Sequence, residues 1–153
     1  MSTDTATPLP LEQLLPALTP VAGGPWPTYE VAPENWLATA AELRNHPQLQ
    51  FDFLFCLTCI DWKTHLTMVY HMRSTRLGHH AVIKSNLNRE QPIIESVSHI
   101  WRTAEFHERE VYEMFGVQFA NHPNLQLLIL PAGWEGKNPL RKDFEDPVNM
   151  IRL

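Results

Sequence analysis

Residues 51–62 read Phe-Asp-Phe-Leu-Phe-Cys-Leu-Thr-Cys-Ile-Asp-Trp, the most hydrophobic run of the chain. Its aromatics, Thr and Ile favour a strand, and a near-continuous apolar run predicts a central strand buried on both faces. After it, His65–Met72 has Leu66, Met68, Tyr70 and Met72 at alternate positions. That period of two marks a strand. Past a turn at Leu77-Gly78, His79–Asn86 reads as a third strand, and three strands joined by short turns predict an antiparallel meander. On the N-terminal side, Pro33 opens a helix in the first turn, where a missing N–H costs nothing. Trp36, Leu37, Ala40 and Leu43 recur at helical spacing until His46-Pro47. Thr28–Val31 is a short strand. Residues 1–27 are Pro-rich, with a short helix between Leu9 and Leu18 and a turn signal at Gly23–Pro27.

Trp101–Phe115, Trp-Arg-Thr-Ala-Glu-Phe-His-Glu-Arg-Glu-Val-Tyr-Glu-Met-Phe, has no Gly or Pro until Gly116, where a helix C-cap belongs. At roughly 100° per residue, Trp101, Ala104, Val111, Tyr112 and Phe115 share a face, and Glu108 falls in its middle. Arg102, Arg109, Glu110 and Glu113 lie opposite, where Glu105–Arg109 and Arg109–Glu113 make i,i+4 pairs. A carboxylate inside an apolar stripe must be paired or hydrogen-bonded. Arg141 is the expected partner, because guanidinium matches carboxylate with two parallel bonds. Ile93–Ile100 reads as a weak helical lead-in, and Leu125–Leu130 as a strand or an extended contact segment. The sum is an α+β fold: a helix, a three- or four-stranded mainly antiparallel sheet, a helix packed on it and a long irregular C-terminal tail. The division is 1–27, a Pro-rich N-terminal segment; 28–130, the α+β domain; and 131–153, an extended docking tail.

The 153 residues suit one domain. A net charge of −5 and a pI of about 5.9 argue against a nucleic-acid binder, which needs a basic face. No apolar run reaches the roughly 18 residues of a membrane span, and Met1–Thr7 lacks the basic flank and apolar core of a secretory signal. Membrane association is therefore expected only through partners. Cys56-Leu-Thr-Cys59 has no second CxxC to complete a metal or cluster site. Spacing three in a strand sends the two thiols to opposite faces, so both are expected to be structural. His107 and Glu110 share a helix face without a third ligand, and His79-His80 after the turn reads as solvated. No GxGxxG, GxxxxGK[ST] or GxSxG occurs. Trp134–Asp143, by contrast, is irregular, basic and aromatic together, with the residue types that dominate protein–protein contacts. The competing class is a free-standing thiol or metal protein built on Cys56, Cys59 and nearby His.

Three blocks carry a resemblance. Ala104–Phe119 resembles the A-x-W-x-E-R-E-x-x-D-M-F-G-I-x-F signature of the C subunit of bacterial NADH–quinone oxidoreductase, the complex I 30 kDa subunit. His122-Pro123-Asn124-Leu125 is similar to that family's G-H-P-D-L. Trp134-Glu135-Gly136, then Pro139-Leu140-Arg141-Lys142-Asp143, is similar to its W-x-G-x-P-L-R-K-D. The blocks keep the family's order, and the resemblance spans about residues 28–146. Phe106 stands for Trp, Glu113 for Asp, Asn121 for Gly and Gln126-Leu127 for an Arg pair; Lys137-Asn138 holds one residue more than usual.

The resemblance implies a non-catalytic member of the hydrophilic arm, in the unfused bacterial form. It implies no catalytic, metal or cofactor site in this chain; FMN, iron–sulfur clusters and quinone belong to partner subunits. It implies docking on the quinone-site D subunit, with the B and I subunits nearby, on the cytoplasmic side of the cell inner membrane. The complex would be a proton-pumping translocase; a membrane-bound hydrogenase or NDH-type relative is the alternative. Glu108, Arg109, Glu110 and Arg141 are expected to hold helix and tail together. Trp134 and Lys142 complete the docking face, and Tyr112, Phe115, Gly116, His122, Pro123, Gly136, Pro139, Leu140 and Asp143 complete the interface motif.

Overall fold

The computed structural model describes residues 10–151. Met1–Thr7 and the first part of the Pro-rich segment lie outside the described residues. The frame is a five-stranded sheet of β1 (Thr19–Val21), β2 (Thr28–Glu30), β3 (Phe53–Asp61), β4 (His65–Arg73) and β5 (His80–Asn88). The spatial order is β1-β2-β5-β4-β3. β3, β4 and β5 form the expected antiparallel meander. β1 and β2 extend it beyond the three or four strands expected, with β2 parallel to β5. Among the described residues three helices accompany the sheets: α1 (Leu11–Leu14), α2 (Pro33–Asn45) and α3 (Ala104–Phe115).

β3 is an edge strand, not the central one expected. Its outward residues Phe53, Phe55 and Thr58 are exposed, while Leu54, Leu57, Cys59 and Asp61 are buried. The run is apolar on both faces, but only one face meets the core. Free edges invite foreign pairing unless something occupies them. Near the start of β3 the segment before α3 bonds the chain: Trp101 Nε1 donates to Phe51 O (2.8 Å) and Thr103 Oγ1 to Leu54 O (2.7 Å). Parity separates the cysteines as expected, Cys56 half-buried and Cys59 buried, where burial pushes its thiol up to about 12.

α2 buries Trp36, Ala40 and Leu43 against the inner face, the Trp36 ring 4.3 Å from that of Tyr70. Leu11, Leu15 and Leu18 join the same core. His79 is buried rather than solvated, its Nε2 2.6 Å from Leu49 O. Ile93–Ile100 does not begin a helix: Ile93–Glu95 is a strand, β6, parallel to β7 (Gln118–Ala120), followed by a turn into α3. β-Branched Ile93-Ile94 suits that pairing. Among the described residues no helix is long and apolar enough to cross a membrane.

Candidate functional site

Polar groups along α3 grip three irregular segments. The first is the stretch before the helix. Glu108 is fully buried, as its place on the wheel required. Its Oε1 accepts from the Val97 N–H (2.8 Å) and its Oε2 from Ser96 Oγ (2.6 Å). Burial pushes the carboxyl up to about 7, against those two donors. Arg141 is not its partner. His122 lies beside it, Nε2 at 3.6 Å from Oε2. The nearer neighbour of that nitrogen is Glu105 O (3.0 Å), and Nδ1 accepts from the Asn124 N–H (3.0 Å). This leaves the ring proton on Nε2.

The second segment is 126–130. Arg109 and Glu113 are buried rather than surface-paired with each other. Arg109 donates to Gln126 O (3.0 Å) and Leu127 O (2.6 Å). Glu113 accepts from the amides of Leu128 (2.9 Å), Ile129 (3.0 Å) and Leu130 (3.1 Å). Two side chains one turn apart thus satisfy the successive carbonyls and amides of a segment that forms no strand. The missing Arg pair is immaterial to this clamp, since Gln126 and Leu127 enter it through their carbonyls. Glu110 is exposed and lies outside the network.

The third segment is the tail. Gly116 ends α3 at φ +79°, and a Cβ there would meet the Asn138 side chain at 2.8 Å. The glycine is needed twice over, for its backbone and for the tail. Asn138, which faces it, itself takes φ +49°. Leu140 N–H donates to Met114 O (3.1 Å), and Arg141 Nε to Phe115 O (2.7 Å). Arg141 therefore caps the negative end of the helix, which cations favour. Buried Asp61, at the end of β3, accepts two bonds from Arg89 (2.9 Å each) and one from the Lys142 N–H (2.9 Å). The guanidinium holds this carboxyl well below its ordinary range. Arg89 also bonds Asp143 (2.8 Å). Lys142 Nζ lies 5.8 Å from the Trp62 ring and Lys137 Nζ 4.4 Å from that of Trp134. The Trp134 and Phe144 rings are 6.3 Å apart.

Of the expected interface residues, Tyr112 and Phe115 pack on the core. Pro139 is half-buried, while Pro123 and Gly136 are exposed turn residues. Asp61, Arg89 and Ser96 were not singled out from sequence. Asp61 had a signal: it shares strand parity with Leu57 and Cys59. Arg89 and Ser96 had none, because their partners lie far away in the chain.

The buried Glu108, Arg109 and Glu113 of α3 each bond backbone groups of neighbouring irregular segments. The family model described as respiratory-chain NADH dehydrogenase, 30 Kd subunit, matches residues 29–148. The C subunit of NADH-quinone oxidoreductase from Chlorobium phaeobacteroides is 39% identical over 123 residues, 78% of this chain and 74% of that protein. The fused C/D protein of the same oxidoreductase from Phocaeicola vulgatus is 43% identical over 104 residues, 67% of this chain but 20% of its own length. Solved structures also share the fold, among them the following two. A chain of the membrane-bound sulfane sulfur reductase, an archaeal respiratory membrane complex, aligns with TM-score 0.76 at 24% identity, over 88% of this chain and 81% of that one. A trypsin-resistant fragment of Nqo5 aligns with TM-score 0.65 at 24% identity, over 75% and 98%. The chain belongs to the 30 kDa subunit family of respiratory-chain NADH dehydrogenase, and is thus a subunit of an NADH–quinone oxidoreductase, complex I.

Proposed function

We propose that this chain is a non-catalytic docking component of the hydrophilic arm, seated on the D subunit, with the B and I subunits as neighbours. FMN, the iron–sulfur clusters and quinone then reside in partners, and the chain meets the cytoplasmic side of the inner membrane only through the assembled, proton-translocating complex. One observation carries the reading. α3 commits Arg109, Glu113 and its capped C-terminus to fixing the 126–130 segment and the start of the tail, yet Ile129 and Leu140 on those segments remain more than half exposed. Apolar side chains displayed on a fixed backbone are what an interface requires. Relatives that carry C and D in one polypeptide support D as the partner.

Affinity purification of the tagged chain from mildly solubilised membranes tests this. The expected product contains the D subunit, FMN and iron–sulfur clusters, and oxidises NADH with a quinone acceptor. Recovery of the chain by itself, or flavin or metal bound to the isolated chain, would contradict the proposal.

A further inference from the structure

Two buried charges are committed to the 126–130 segment, a five-residue stretch with no regular structure of its own. Its carbonyls at 126 and 127 face Arg109 and its amides at 128, 129 and 130 face Glu113. The side chains, by contrast, are turned outward: Leu128 is 39% exposed and Ile129 64%. Phe106 on α3 is 57% exposed, the Arg109 guanidinium lying 5.8 Å from its ring.

We infer that Leu128-Ile129 is a preformed apolar anchor that seats in an apolar cleft of the D-subunit partner. This rests on the docking reading above and specifies its contact. Because Arg109 and Glu113 already occupy those backbone groups, the segment cannot add itself to a partner's sheet edge through them, which is the other common use of an extended loop. It offers side chains, and so requires a concave apolar receptor. The clamp orders the segment before binding, which removes part of the entropy cost of association. The occupant follows from two facts. In the fused relatives the matched domain shares its polypeptide with the D portion. The same helix that holds the anchor also holds the start of the tail, through Met114 and Phe115. A partner on the tail therefore lies against α3 as well.

The test uses the assembled complex. Ile129→Asp changes an exposed side chain and leaves the clamp intact. Co-purification of the D subunit with the tagged variant is expected to fall by about tenfold or more relative to wild type, as for an anchor residue, with the chain's melting temperature unchanged. Equal recovery with both would overturn the anchor and leave the docking reading standing. Failure of the wild-type chain to retain the D subunit would end both. Should Ile129→Asp not accumulate, Ile129→Cys, read by peptide mass spectrometry after labelling with a water-soluble maleimide, supplies the same decision. Reaction in the isolated chain and protection in the complex are expected. Equal labelling, or protection in the isolated chain that dilution removes, would overturn the anchor, the latter in favour of a second copy of this chain.

Discussion

Glu108 sits fully buried with a carboxyl pushed up to about 7 from an ordinary 4.5. The folded state therefore binds its proton more tightly than the unfolded chain does. As pH rises through the window from 4.5 to 7, the carboxyl ionises in the unfolded chain while the buried one keeps its proton, so stability falls. Glu108→Gln removes that titration while keeping the shape and one acceptor for Val97. The wild-type chain is expected to lose up to about 3 kcal/mol from this group between about pH 4.5 and 8, and the variant to lose none of it. Thermal melts across that range check it; parallel pH profiles would refute the assignment. Among single residues the sequence was half legible. Helical periodicity put Glu108 on the buried face, but could not say that Ser96 and a backbone amide, rather than Arg141, would satisfy it. Arg141 matched in chemistry and was taken by the carbonyl of Phe115 instead. The wheel likewise put Arg109 and Glu113 opposite the core face and therefore in water. It could not foresee that the chain would return at 126–130 to cover them.

α3 is the element on which the site is built, and each end of it has a test. Glu113→Ala removes the acceptor for three amides and is expected to cost about 2–4 kcal/mol. Hydrogen exchange at Leu128–Leu130 should accelerate by about tenfold or more while α3 itself stays protected. Unchanged exchange there would mean that the segment holds itself. At the other end, Gly116→Ala meets both a left-handed backbone and the Asn138 side chain, and is expected to cost about 1–2 kcal/mol. Asn138→Ala in the same chain should recover part of this, read as a coupling in a double-mutant denaturation cycle. Strong local rules made these features legible: Gly after an uninterrupted helical run, Pro at the head of α2, alternation in β4. Position within a sheet is not local. Hydrophobicity made β3 look central because Phe53, Phe55 and Trp62 count equally whether covered or not. Ile93-Ile94 became a strand only because β7, some 25 residues on, lies beside it.

Across the whole molecule, the sheet, α2, the segment 11–18 and the inner face of α3 share one core. The tail is different. It is held by Asp61, Arg89 and the end of α3, at sites drawn from β3, from the residue after β5 and from α3, so its course reports whether all three are in place. Family membership was legible in the three sequence blocks, and each block has a physical role in the structure. The first supplies the clamp, the second the turn at His122, and the third the tail contacts. Hydroxyl-radical footprinting of the chain, free and within the purified oxidoreductase, decides whether this surface docks. Oxidation of Ile129, Trp134, Leu140 and Met150 is expected to slow together on assembly. Oxidation at the same rate in both states would contradict the docking reading and place the interface elsewhere on the fold.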